Sequence, residues 1–258
     1  MGTAALAALL ASGLAGCKTA GMPDITGSLG ARAEARGAET DPARAVDVYG
    51  ERYRANPKSV EAAMQFGEAL RRSGQRAQAV AVLEQATLQH PGHRPLLGLY
   101  GKALVDNGDF QKAFDILSRA HTPANPDWRI LSVQGAALDQ LGRHDEARNY
   151  YASALRIAPE EPSVLSNLGL SYVLTKELPQ AETVLRRAYA RPNAGPRVRQ
   201  NLALAVGLQG RFAEAEAIIK ADLPPDEAAA NVAYLKAMLN GGAQPRVGDA
   251  GAGTRRAS

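Results

Sequence analysis

From Val60 onward, the small and apolar positions of the chain recur every 34 residues. Gly67, Gly101, Gly135 and Gly169 keep that step, and so do Ala45, Ala79, Ala113, Ala147, Ala181 and Ala215. A third series, Leu83, Leu117, Tyr151, Leu185 and Ile219, places large apolar side chains in the same register. Within a period the apolar residues fall three or four positions apart, the spacing of one helix face. Turns such as "SGQR", "NGDF", "LGRH" and "QGRF" cut the periods in two, the fourth period using "TKEL" instead, and Pro91 and Pro159 close their units. The pattern predicts antiparallel helix pairs over residues 60–223, starting near Val60, Arg94, Trp128, Pro162 and Pro196. A helix-interior glycine costs about 1 kcal/mol against alanine. Its recurrence therefore calls for a packing reason, the close approach of the two backbones in each pair.

The ends differ from the periods. Residues 43–59 hold the second half of a unit, with Ala45, Tyr49 and Pro57 in register and no first helix before them. Residues 224–240 supply one more helix, opened by Pro225-Asp226 and stopped by Gly241-Gly242. Both read as caps, because a terminal repeat cannot leave its apolar side in water. The final stretch, 241–258, lacks apolar periodicity and is expected to be disordered.

A 34-residue period with this pattern resembles the tetratricopeptide repeat. The resemblance implies an all-α, right-handed superhelical solenoid with a C-terminal capping helix. Composition agrees with a helical chain, since alanine and leucine are plentiful and aromatics are only 5% of residues. The formal charge is +4, and Arg246, Arg255 and Arg256 in the tail supply much of the excess. No basic run is interleaved with aromatics, which argues against nucleic acid as a partner. His90, His93, His121 and His144 fall at helix ends or in turns and form no set with metal-ligand spacing. No phosphate loop or nucleophile elbow is present. The expectation is a binding protein with no catalytic residues, metal, cofactor or small-molecule substrate.

The start of the chain carries a different signal. Ala4 to Leu14 is an apolar stretch too short to span a bilayer, which needs about 20 residues, but suited to an export signal. Leu14-Ala15-Gly16-Cys17 follows it and resembles the bacterial lipobox. That resemblance implies removal of residues 1–16 and lipidation of Cys17, the single cysteine of the chain. Several acyl chains on one residue give lasting attachment where one does not. Lys18 follows the cysteine rather than the aspartate that favours inner-membrane retention, which points to the periplasmic face of the outer membrane. Residues 17–42, rich in small and polar side chains, read as a tether reaching roughly 25–30 Å if flexible.

Function then falls on the inner face lined by the first helices. In this repeat family the second, fifth, sixth, ninth, twelfth and thirteenth positions of that helix are exposed. Along the chain they run from charged (Glu61, Glu68, Arg71, Arg72) through Ser132, Asp139 and Ser166 to apolar. Asn167, Leu170, Val173, Leu174, Arg197, Asn201, Leu204 and Leu208 are the candidate peptide-binding residues. The leucines and Val173 form an apolar stripe, and the two asparagine amides have the donor and acceptor to capture a peptide backbone. Either the C-terminal helix covers Leu204 and Leu208, or they are open to a partner. Gln200 to Leu239 closely resembles the end of tetratricopeptide lipoproteins of the tight-adherence (Flp) pilus system. This implies a pilotin-like assembly factor whose partner is the pilus secretin. The alternative is a general envelope scaffold that recruits cell-wall enzymes or outer-membrane assembly machinery.

Overall fold

The computed structural model describes residues 41–240. The signal-like segment 1–16, Cys17, the tether up to residue 40 and the tail 241–258 lie outside the described residues. Within them the chain forms twelve α-helices and no strand. A single helix, α1 (Pro42–Ala55), precedes five pairs: α2 (Val60–Arg72) with α3 (Arg76–Gln89), α4 (Arg94–Asn107) with α5 (Phe110–Leu117), α6 (Trp128–Gln140) with α7 (His144–Ile157), α8 (Pro162–Leu174) with α9 (Leu178–Tyr189), and α10 (Pro196–Leu208) with α11 (Phe212–Ile219). A last helix, α12 (Pro225–Leu239), packs against α10 and α11.

Local chemistry sets the helix starts. Asp41, Ser59 and Asp127 each accept a backbone N–H of the first turn, at 2.9, 3.2 and 2.8 Å, satisfying donors that have no intrahelical partner. His93 does the same for α4, its Nδ1 accepting from the Leu96 N–H at 3.2 Å. The four expected glycine turns between paired helices all form. Gly74, Gly108, Gly142 and Gly210 adopt φ of 77, 93, 75 and 84°, and the next residue donates its N–H back to the carbonyl five positions earlier, as Arg143 does to Leu138 at 2.9 Å. The fourth turn reaches the same left-handed conformation with Lys176 at φ 63°.

The recurrent helix glycines have the packing reason their period implies. A Cβ on Gly101 would lie 2.4 Å from Leu117, and one on Gly135 would lie 2.6 Å from Tyr151. Leu83, Leu117, Tyr151 and Leu185, the large residues facing these glycines, are all buried. The last unit departs from the rule: Ala203 stands in the glycine position, and the close approach moves to Gly207, against Leu235 of α12. The alanines of the second helices, from Ala79 to Ala215, are completely or almost completely buried.

Successive first helices touch one another, α2 with α4, α4 with α6, α6 with α8 and α8 with α10, whereas the backbones of successive second helices do not. Longer links such as Lys112 to Glu84, at 2.6 Å, span the outer side. Closer spacing on one side bends the array towards the first helices, which form its inner face.

Candidate peptide-binding groove

All eight candidate residues lie on the inner-face helices α8 and α10, and none is fully buried. Asn167 and Asn201 are half-buried, and each is tied to the preceding repeat. Asn167 Nδ2 donates to Ser132 Oγ at 3.1 Å, and Asn201 Nδ2 donates to Ser166 Oγ at 2.9 Å. The two bonds repeat with the period of the array and join α6 to α8 and α8 to α10. Each amide retains a second N–H and its Oδ1, neither of which has a partner among the described residues. That is the pair of groups needed to donate to and accept from a peptide backbone.

The apolar candidates separate. Val173 packs on the core shared by α9, α10, α11 and α12, while Leu174, at 46% exposure, lies open to solvent. Leu170, Leu204 and Leu208 are half-buried. The C-terminal helix does not cover Leu204. It stands beside it and leaves a cleft of about 340 Å³ walled by Leu204, Ile219, Leu223, Tyr234, Leu235 and Met238. Arg197 is exposed and pairs with no carboxylate among the described residues. It joins Asn167, Ser166 and Asn193 around a second hollow of about 300 Å³ between the first turns of α8 and α10. The structure thus gathers Asn167 with Arg197 in one hollow and sets Leu204 in another.

Several inner positions expected to be exposed are buried. Ser132 and Ser166 are 5% and 1% exposed, because the asparagine one repeat later lies over each. Asp139 is 7% exposed. Its carboxylate accepts from the Tyr151 hydroxyl at 2.8 Å, from Ser171 Oγ of the next repeat at 2.8 Å and from His144 Nδ1 at 2.9 Å. Burial first, and then the Asp139 charge, push the Tyr151 hydroxyl far above the usual phenol range. Fully satisfied buried networks of this kind fix one arrangement of neighbouring elements. The seam between the third and fourth pairs is therefore polar and specific.

Sequence reasoning placed the charged residues of the N-terminal end on the inner face but did not choose that end as a site. There α1, α2 and α4 enclose a trough of about 570 Å³ lined by Tyr49, Met64, Gln65, Leu99 and Lys102 among others. The signal was present in the half-unit, whose Tyr49 closes one wall. Among the described residues no three or more His, Cys, Asp or Glu gather so as to hold a metal ion.

Family models described as tetratricopeptide repeat match residues 38–103, 132–196 and 196–220, together more than half of the chain. The chain belongs to the tetratricopeptide-repeat family. Such repeats are in general protein-interaction scaffolds rather than enzymes, and the repeats of this chain form a protein-interaction scaffold. The uncharacterized protein y4yS of Sinorhizobium fredii (strain NBRC 101917 / NGR234) is 33% identical over 102 residues, 40% of this chain and 56% of that protein. The match therefore spans little more than half of that relative. Among solved structures, PilW, described as a widely conserved type IV pilus biogenesis factor, superposes with a TM-score of 0.65 at 19% identity, over 80% of this chain and 96% of that one. TTC0263, a thermophilic repeat protein of Thermus thermophilus, gives 0.61 at 22% identity, over 69% and 99%. At these identities the likeness is one of fold.

Proposed function

We propose that the chain is a lipid-anchored assembly factor of the outer membrane, a tetratricopeptide lipoprotein of the tight-adherence (Flp) pilus system acting on the pilus secretin as a pilotin. The observation that carries the binding part of this reading is the asparagine pair. Asn167 and Asn201, on the inner-face helices, are held in register by Ser132 and Ser166, and each keeps an unused donor and acceptor. A partner segment lies along α8 and α10, its backbone against the two amides. Its apolar side chains meet Leu170, Leu174, Leu204 and Leu208, and Arg197 meets an acidic group. The pilus assignment rests on the resemblance of Gln200–Leu239 to the lipoproteins of that system. A fold shared with a pilus biogenesis factor over 80% of this chain is in keeping with it. Cys17 supplies the anchor, confining the array to a thin layer at the membrane and raising its effective concentration for a membrane-bound partner.

The test is recovery of partners from detergent-solubilised envelopes with the intact protein and with Leu204→Asp. The pilus secretin should be recovered with the first and depleted with the second, while circular dichroism shows equal helicity. Recovery of peptidoglycan enzymes in place of the secretin would instead establish a general envelope scaffold.

A further inference from the structure

We propose a second peptide site, the trough at the N-terminal end of the inner face, and assign it an acidic segment of a partner protein in which carboxylates alternate with apolar side chains. It goes beyond the groove on α8 and α10 and shares none of its residues. Charge, and the apolar side chains beside it, select this ligand. Three cations, Arg71, Arg72 and Lys102, line the trough against one carboxylate, Glu68. Arg71 is already committed: its guanidinium pairs with Glu68 at 2.6 Å and with Asp106 at 2.7 Å, and its side chain is only 19% exposed. Glu68 is occupied by that bond and lies 3.7 Å from Arg72. Arg72 keeps 66% of its side chain in solvent. Lys102, one repeat further on, has no hydrogen bond or ion pair among the described residues.

Unpaired Lys102, and Arg72, largely exposed and held only by a long 3.7 Å pair to Glu68, thus line the trough together with the apolar side chains of Met64 and Leu99 and with Tyr49. Gln65 spends one N–H on Glu61 at 3.4 Å and keeps its side-chain carbonyl oxygen, Oε1, for a peptide N–H. A ligand bearing phosphates alone would leave the apolar side chains uncovered, and an uncharged apolar ligand would bring Lys102 out of water without a counter-charge, at a cost. An acidic peptide with apolar side chains answers both.

The experiment is fluorescence anisotropy with the full chain and three short fluorescein-labelled peptides that differ only in the residue alternating with leucine: glutamate, glutamine or lysine. The glutamate peptide should bind most tightly and lose affinity as salt rises. Lys102→Glu, at a half-buried position, and Arg72→Glu, at an exposed one, should each weaken it about three- to fivefold, the range of a partly exposed charge pair. Circular dichroism of the variants should be unchanged. Absence of glutamate-peptide binding, equal binding of the glutamate and lysine peptides, or indifference to both charge reversals would overturn the proposal, as would binding of phosphatidylglycerol vesicles in place of the peptide. Binding that responds to Leu204→Asp and not to Lys102→Glu would place the peptide in the α8–α10 groove and refute the second site alone. The opposite pattern would leave the trough standing and count against the groove.

Discussion

Lys176 occupies a backbone conformation that the other four pair-linking turns fill with glycine. Its φ of 63° lies close to the 75, 77, 84 and 93° of Gly142, Gly74, Gly210 and Gly108, and its turn makes the same long backbone bond, Glu177 N–H to Tyr172 O at 2.9 Å. The left-handed region costs a residue with a Cβ roughly 1–2 kcal/mol. Glycine removes that strain but returns roughly 0.5–1 kcal/mol through its larger freedom in the unfolded chain. Lys176→Gly should therefore stabilise the fold by about 0.5–1 kcal/mol. The reciprocal change, Gly142→Ala, meets no atom within 4 Å of the new Cβ, so no clash adds to the strain, and after the same entropic offset it should cost about 0.5–1 kcal/mol. The turn at Lys176 survives without glycine because Thr175 and Glu177 are both bound by Arg148, whose guanidinium also lies over the Tyr172 ring at 4.4 Å. Urea unfolding followed by circular dichroism should show the midpoint rise by about 0.2–0.5 M for Lys176→Gly and fall for Gly142→Ala, with unchanged slope. A fall for Lys176→Gly would refute the reasoning and assign the lysine a contact that outweighs its strain.

Asp139→Ala should destabilise the chain by about 2–4 kcal/mol, since it leaves the buried Tyr151 hydroxyl and Ser171 Oγ without an acceptor; thermal unfolding measures it, and a loss under about 1 kcal/mol would contradict the network's role. Glu182 is held down to about 2 from an ordinary 4.5, chiefly by the Arg211 guanidinium, with Gln209 and Arg186 adding to it and burial opposing. Its contribution is therefore complete above about pH 4.5 and lost as pH falls towards about 2. Glu182→Gln should accordingly narrow the gap in melting temperature between neutral pH and about pH 3. Cys17→Ala should release the protein from membranes into the soluble envelope fraction, as read by fractionation and immunoblotting.

The repeat was readable because one spatial requirement, a glycine under a large side chain, returns at a fixed step. The fold class followed from that step. What sequence could not supply was contact across the step. Ser132, Ser166 and Asp139 sit at positions that one isolated pair would expose, and it is the next pair that covers them, through Asn167, Asn201 and Ser171. The clue was the recurrence of a serine and an asparagine 35 residues apart, Ser132 with Asn167 and Ser166 with Asn201. The trough at the other end escaped notice for a related reason. Tyr49 belongs to the half-unit cap, and only the packing of α1 against α2 makes it a wall.

The claim on which the rest depends is that the inner face of α8 and α10 holds a segment of another protein at the membrane. Site-specific photocrosslinking in living cells tests it directly, with the crosslinking residue placed at Leu174 or Leu204 on the inner face and at Gln85 on the exposed surface of α3. Irradiation should link the two inner positions to one polypeptide, identified by mass spectrometry as the pilus secretin, and leave Gln85 unlinked. Crosslinks from Gln85 with none from Leu174 or Leu204 would contradict the account.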